Sequence, residues 1–122
     1  MAGARLLIQP VRDVAVVNFS DASILDALQV QQIGEELYDL VETRARRKVI
    51  LDFSNVRFLS SAALGVLINL RKKADGIKGK VMLCCIRPEI HRVFKLTNLD
   101  KLFEIYDSEE KALNAFGVTT VG

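Results

Sequence analysis

Two apolar stretches near the amino terminus flank a short polar turn. Residues 5–11 are mostly apolar, residues 14–17 form an uninterrupted apolar run, and Arg12 and Asp13 lie between them. A continuous run of this kind is typical of a strand that is covered on both faces. Because the turn is too short for a crossover, the pattern predicts two strands that pair antiparallel.

The next periodic segment predicts a helix that begins after Asp26. Asp26 is a favourable N-cap residue, and Gln29 stands three positions later, where a capping box places its second member. The apolar positions that follow have the spacing of an amphipathic helix. They are Val30, Ile33, Leu37, Leu40 and Val41.

Strand and helix patterns alternate through the rest of the chain. Further strands are predicted at residues 48–53, 80–86 and 102–107. A second helix is predicted from about Ser61 to Ala74, with Gly76 as its C-terminal stop. The segments around it that contain residues 20–26 and 54–60 are polar and are predicted to be loops.

Two more helices are predicted from their first turns. Pro88 suits the first turn of a third helix, and Asp107 suits the cap of a fourth, with Glu110 at its capping-box position. The predicted buried stripe of the third helix consists of Ile90, Val93, Phe94 and Leu96.

This order of elements predicts the α/β class. Strands that alternate with helices imply a mixed, mostly parallel sheet with about four helices packed against it. A chain of 122 residues without an internal repeat or a linker suits a single domain that spans residues 1–122.

Composition adds limits on where the protein acts. Half of the residues are hydrophobic and 26% are charged, which is enough to build a core. The apolar runs are shorter than the roughly 18–20 residues that cross a bilayer, and the amino terminus is a poor secretion signal. We therefore expect a cytoplasmic protein without a membrane span.

Charge gives little support to nucleic-acid binding. The net charge is +2, and the basic residues cluster at positions 44–48 and 71–73. Both clusters follow helical patterns, where cations offset the helix dipole. Aromatic residues are not interleaved with them, so we expect no nucleic-acid partner.

Motifs for catalysis or metal binding are weak. The glycines of residues 75–80 follow a helix and precede a strand, the reverse of a phosphate-binding loop. His91 is the single histidine, and its spacing from Cys84 and Cys85 matches no zinc motif. Neighbours on a strand point to opposite faces, so these adjacent cysteines are expected to be reduced, with at least one buried. We expect no catalytic residue, metal or cofactor.

The start of the second helix has an unusual composition. Ser60 and Ser61 open it, and one serine is explained as an N-cap. The next two turns carry no charge on any side, and they include Gly65, which costs a helix about 1 kcal/mol relative to Ala. Gly65 either packs closely against the sheet or leaves room for a partner's backbone. Such a smooth helix end is a surface on which another protein could dock.

The segment "VILDFSNVRFLSSAALGVLINLRKKA" resembles the signature of the STAS domain, the fold of bacterial anti-sigma factor antagonists. In that family an apolar strand ends in Asp, and a short loop leads to Asp-Ser-Ser/Thr-Gly-Leu-Gly and an apolar helix. The resemblance continues through "GKVMLCCIRPEIHRVFKLTNLDKLFEIYDSEEKAL" and is weaker before Asp26. Ser60 stands where the family usually has Asp, and Ala63 where it usually has Gly.

The resemblance implies a site and a mechanism. Ser61 matches the serine that an anti-sigma factor kinase phosphorylates, and Asp26 resembles an acidic residue that helps to bind this partner. The implied partner-binding residues are Asp26, Ser60, Ser61, Ala62, Ala63, Gly65 and Val66. The implied function is that of an antagonist that binds the anti-sigma factor and releases a sigma factor until Ser61 is phosphorylated. A PP2C-type phosphatase would reverse the modification.

Two alternatives remain open at this point. A non-switching STAS subunit of a signalling scaffold or of a lipid-transport complex fits the replacement of Asp by Ser60. A small enzyme that uses Cys85 or His91 has the least support.

Overall fold

The computed structural model describes residues 6–118. Its strands and helices within this range are given in chain order. The strands are β1 (Leu6–Val11), β2 (Val14–Phe19), β3 (Ser23–Ile24), β4 (Lys48–Asp52), β5 (Phe58–Leu59), β6 (Lys80–Cys84) and β7 (Glu104–Tyr106). The helices are α1 (Ala27–Glu42), α2 (Ser61–Gly76), α3 (Pro88–Leu96) and α4 (Glu109–Ala115), with a short 3-10 helix at Leu99–Lys101.

Five strands form a mixed sheet in the order β1-β2-β4-β6-β7. β1 and β2 pair antiparallel through the turn at Arg12 and Asp13, and the remaining neighbours pair parallel. The predicted fold class, an α/β domain with a mostly parallel sheet and four helices, is therefore confirmed. Residues 14–17 are at most 1% exposed because both faces of the sheet are covered.

The hydrophobic cores on the two faces of the sheet differ in size. α1, α2 and α3 cover one face, where the rings of Phe19, Phe53 and Phe94 pack in succession. α4 covers the other face with Ala112 and Leu113. Alternation along β4 divides its side chains between the two, with Leu51 on the larger core.

A two-stranded parallel sheet forms beside the main one, in segments predicted to be loops. β3 pairs with β5 in a register that places Ile24 opposite Leu59. The Ser60 N–H then donates to the Ile24 carbonyl at 2.9 Å. Strands of two residues are too short to show a period of two in the sequence, which is why the pattern did not reveal them.

Three predicted details of the helices are wrong. α2 does not stop before Gly76: Gly76 is its last residue, and Lys78 takes the left-handed conformation, with φ of 60°. The Gly79 and Lys78 N–H groups donate to the Ala74 and Asp75 carbonyls, which is a Schellman motif. Gly79 is required there, because a Cβ would lie 2.8 Å from the Arg47 carbonyl oxygen.

The other two concern α3 and α4. Ile90 and Phe94 of the predicted stripe are buried, but Leu96 is 78% exposed because it ends α3 on the outer side. The cap of α4 is Ser108, not Asp107, and its side chain accepts from the Lys111 N–H. A hydroxyl and a carboxylate are equally good caps, so adjacent candidates are separated only by the path of the backbone.

Candidate functional site

The two serines at the start of α2 have different surroundings. Ser60 is the N-cap: it is half-buried, and its Oγ accepts a hydrogen bond from the Ala63 N–H at 3.1 Å. Ser61 is the first residue of the helix and is exposed. Within residues 6–118 its hydroxyl makes no hydrogen bond. The cap therefore occupies one hydroxyl and leaves the other accessible to a modifying enzyme.

Asp26 lies at the start of α1, as predicted. Its carboxylate accepts from the Leu28 and Gln29 N–H groups at 2.8 and 3.1 Å. The Gln29 side chain reaches back to the backbone N–H groups of Leu25 and Asp26, which completes the capping box. Asp26 remains exposed while it does this. Its charge is thus fixed in position and available to a partner.

The small sheet brings these two helix starts together. β3 leads directly to Leu25 and Asp26, and β5 leads directly to Ser60 and Ser61. Because the strands are parallel and paired, both segments leave the sheet at the same end. Asp26 and Ser61, which are 35 positions apart in the sequence, therefore belong to one surface.

Three large apolar side chains on this surface were missed by sequence reasoning. Leu25, Leu28 and Phe58 are 56%, 59% and 57% exposed. Two of them could have been recognised in the sequence as exposed apolar residues. Leu28 lies outside the apolar stripe of α1, and Phe58 lies in a segment predicted to be a loop. Exposed large apolar side chains are candidates for contact with another protein when they share one surface. We call Leu25, Asp26, Leu28, Phe58, Ser61 and Ala62 the docking surface.

The remaining predicted partner-binding residues differ in their exposure to solvent. Ala62 is exposed beside Ser61, but Ala63 is only 6% exposed and faces the larger core. The prediction that the Ala63 methyl lies at the docking surface is therefore wrong, because the helical period turns it inward with Leu64 and Leu67. Val66 is half-buried and packs against Gly34 of α1.

Gly65 does not serve close packing against the sheet. A Cβ built on Gly65 would have no atom within 4 Å apart from its own helix and its chain neighbours. Of the two interpretations left open by the sequence, the packing one is wrong. The space beside Gly65 is open at the edge of the docking surface.

A second polar group lies at the carboxyl ends of the parallel strands. Asp52 ends β4 and is 5% exposed, and its Oδ1 accepts from the Ser54 N–H at 2.8 Å. The carboxyl of Glu109, the first residue of α4, is hydrogen-bonded to Asp52. This bond, burial and the Asp52 charge raise the pKa of Glu109 to about 7. Burial opposes ionisation of Asp52, yet hydrogen bonds from Glu109 and Ser54 hold the pKa of Asp52 below its ordinary value.

The two cysteines do not lie on opposite faces of a strand. Cys84 ends β6 and is buried, while Cys85 lies beyond the strand with φ of 60° and is half-buried. Both are free thiols. Burial raises the pKa of each thiol, so neither is an activated nucleophile in this state. His91 is half-buried on α3 and lines a surface cavity with Cys85.

Of the helices in residues 6–118, none combines the length and the apolar character that crossing a bilayer requires.

Comparison with known proteins agrees with this architecture. Residues 7–112 match the model of the STAS domain family. The chain is 27% identical over 109 residues to an anti-sigma F factor antagonist of Paenibacillus polymyxa, a match that covers 89% of this chain and 92% of the relative.

Solved structures show the same fold. An anti-sigma-factor antagonist (STAS) domain protein from Planctomyces limnophilus superposes with a TM-score of 0.82 at 25% identity, covering 93% of this chain and 98% of that one. An anti-sigma factor antagonist from Mycobacterium paratuberculosis gives a TM-score of 0.81 at 26% identity, covering 93% of both chains. The matched region contains the sheet, the helices and both halves of the docking surface, and the chain belongs to the STAS domain family.

Proposed function

We propose that this protein is an anti-sigma factor antagonist that binds an anti-sigma factor with serine kinase activity through the docking surface. Binding sequesters the anti-sigma factor and releases a sigma factor, so that transcription begins. The relative in Paenibacillus polymyxa carries the name of such an antagonist. The observation that carries the proposal is the exposed Ser61 hydroxyl at the start of α2, which leaves the small sheet at the same end as the segment that carries Leu25 and Leu28.

Phosphorylation of Ser61 by the bound kinase would end the association. A phosphoryl group adds about −1.5 to −2 charges at neutral pH. The first turn of α2 tolerates that charge because its N–H groups and helix dipole favour anions. An interface built around a small hydroxyl and three apolar side chains does not tolerate it, because the charge would have to lose its water there. The domain therefore stays folded while the complex dissociates.

Ser61 is favoured over Ser60 as the acceptor. The Ser60 hydroxyl is half-buried and already accepts the Ala63 N–H, so it is less accessible to a kinase than the exposed hydroxyl of Ser61. Replacement of the family's Asp by Ser60 removes a charge but keeps a side chain that caps the helix. The modified position is thus set by which hydroxyl is free.

In this proposal the protein is a switch and a substrate, with no catalytic residue or cofactor of its own. The relative in Paenibacillus polymyxa is named as an antagonist of a regulatory factor. The kinase comes from the anti-sigma factor, and a PP2C-type phosphatase removes the phosphate and restores binding. Asp26 contributes a fixed negative charge on the same surface, which suits a basic side chain of the partner.

The proposal is tested with the purified anti-sigma factor of the same organism and ATP. Mass spectrometry of the incubated protein is expected to show one phosphate on Ser61, none in Ser61→Ala, and unchanged modification in the matched control Ser60→Asn, which keeps a capping side chain. Ser61→Asp is expected to weaken binding by roughly a hundredfold, about 2.7 kcal/mol, without lowering the free energy of unfolding.

Two results would redirect the assignment. Tight binding that is indifferent to Ser61→Asp would favour a constitutive subunit of a signalling scaffold. Binding that survives replacement of Phe58 and Leu28 by Ser would show that the partner uses another face of the domain.

A further inference from the structure

Three metal-ligating side chains meet at the carboxyl edge of the sheet. A carboxylate oxygen of Asp52 and the sulfur atoms of Cys84 and Cys85 all lie within 4.8 Å of one another. Two of these residues are buried and the third is half-buried. None of them belongs to the docking surface, and the proposed switch uses none of them.

The fold creates this cluster in two steps. Asp52 and Cys84 are register partners at the ends of the adjacent parallel strands β4 and β6, so their side chains lie on the same face. Cys85 would point to the opposite face if the strand continued. Its left-handed backbone, with φ of 60°, turns the chain so that its sulfur lies beside the other two groups. A non-glycine residue in this conformation is uncommon, and such conformations concentrate at functional sites.

We propose that Asp52, Cys84 and Cys85 form a binding site for one Zn²⁺ ion, with Glu109 as the hydrogen-bond partner that orients Asp52. The site is independent of the proposed switch at Ser61. Bound zinc would tie the ends of β4 and β6 and the start of α4 to one another.

The donor set favours zinc over the hard cations. Two thiolates and one carboxylate suit a borderline-soft ion, whereas Mg²⁺ and Ca²⁺ take oxygen ligands. With Zn–S near about 2.3 Å and Zn–O near about 2.0–2.2 Å, tetrahedral ligands are roughly 3.4–3.8 Å apart. The atoms therefore need to approach by about 1 Å. Cys85 lies in a loop beyond β6, which can supply this adjustment, and the fourth position is left to water.

Cysteine and carboxylate side chains bind a metal ion in their deprotonated forms. Zn²⁺ would bind the two thiolates and release their protons. Glu109 would then be the second sphere that fixes the ligating oxygen of Asp52.

An ion can reach the cluster from solvent. Cys85 lines a surface cavity of about 420 Å³ together with His91 and Tyr106. Cys85 is therefore the most accessible of the three residues, and Asp52 and Cys84 are buried.

The test uses the reduced full-length protein after treatment with a chelator. Co²⁺ serves as a spectroscopic probe because its thiolate complexes have an intense charge-transfer absorption. We expect one Co²⁺ per chain with that absorption, displacement of Co²⁺ by Zn²⁺, and release of protons into weakly buffered solution. Absence of binding, or bound Co²⁺ without the thiolate absorption, would overturn the proposal without bearing on Ser61.

Variants locate the site. Cys85→Ser, at a half-buried position, is expected to lower the thiolate absorption of the Co²⁺ complex by about half, because Cys84 remains, and to weaken Zn²⁺ binding by more than about a hundredfold. Glu109→Gln is expected to weaken it by roughly 10–100-fold, as loss of an outer hydrogen bond does. His91→Ala is the matched control in the same cavity and should leave the affinity unchanged. Equal affinity in Cys85→Ser and wild type would place the ion elsewhere and refute the assignment.

Discussion

Gly65 is a residue that the packing of the domain does not require. Glycine lies in the interior of α2, where it is unfavourable, and no neighbouring group requires it. Gly79 is the opposite case, because the Arg47 backbone leaves no room for a Cβ. The glycine is thus explained by packing at position 79, whereas packing within the domain does not explain it at position 65.

Gly65→Ala is expected to stabilise the free protein by about 1 kcal/mol, because alanine favours the helix and reduces the entropy of the unfolded chain. Urea unfolding measures the change. Gly79→Ala serves as the contrast and should destabilise the protein through its contact with Arg47. If Gly65→Ala is more stable and also binds the anti-sigma factor less tightly, the partner's backbone uses the open space. A loss of stability would contradict the open environment described here.

At the scale of the element, the helix starts carry both stability and the proposed recognition. Asp26 caps α1 and presents its charge on the docking surface, and Ser60 caps α2 so that Ser61 stays free. The capping box of α1 was predicted from Asp26 and Gln29 alone, because its hydrogen bonds join residues that are close in the sequence. The cap of α4 was misplaced because the adjacent Asp107 and Ser108 offer equivalent chemistry, and the end of α2 because Lys78, and not a glycine, takes the left-handed conformation.

Asp26→Ala and Asp26→Asn separate these two roles. The alanine variant loses the acceptor for the Leu28 and Gln29 N–H groups and should lower the free energy of unfolding by about 1 kcal/mol. The asparagine variant keeps an acceptor and should be nearly as stable as wild type. If both variants are equally stable in urea, the cap does not contribute as described. Weaker partner binding by the asparagine variant alone would identify the charge as the recognised feature.

At the scale of the whole molecule, the carboxyl edge of the sheet joins β4, β6 and α4. Asp52 and Glu109 share a hydrogen bond there, although they lie 57 positions apart (109 minus 52). Glu109 has an ordinary pKa of 4.5 and a folded value of about 7. Between these values the folded chain holds more protons than the unfolded chain, so stability falls as pH rises.

We therefore expect the free energy of unfolding of the metal-free protein to decrease between about pH 5 and pH 8. The contribution of Glu109 is complete below its unfolded pKa and is lost as pH rises through the folded value. Glu109→Gln should reduce this slope, because its amide can donate to Asp52 at every pH. Urea unfolding of both proteins in one buffer series isolates the effect. Parallel pH curves for the two proteins would refute the shared proton.

The sequence by itself determined the class of fold and the position of the switch candidate. The buried runs of β2, β4 and β6, the period of α1 and the paired serines at the start of α2 are local patterns, and local patterns follow from burial and backbone hydrogen bonding alone. The family resemblance rested on the same local residues.

Only the tertiary structure decided which distant residues share a surface. It exposed Leu25, Leu28 and Phe58 on the paired segments that lead to the starts of α1 and α2, turned Ala63 into the core, and brought Cys85 back to Asp52. Each outcome depends on strand pairing or on a single left-handed residue, whose effects act across the chain. Neither strand pairing nor a left-handed residue produces a periodic pattern in the sequence. These three outcomes could therefore not be predicted from the hydrophobic pattern.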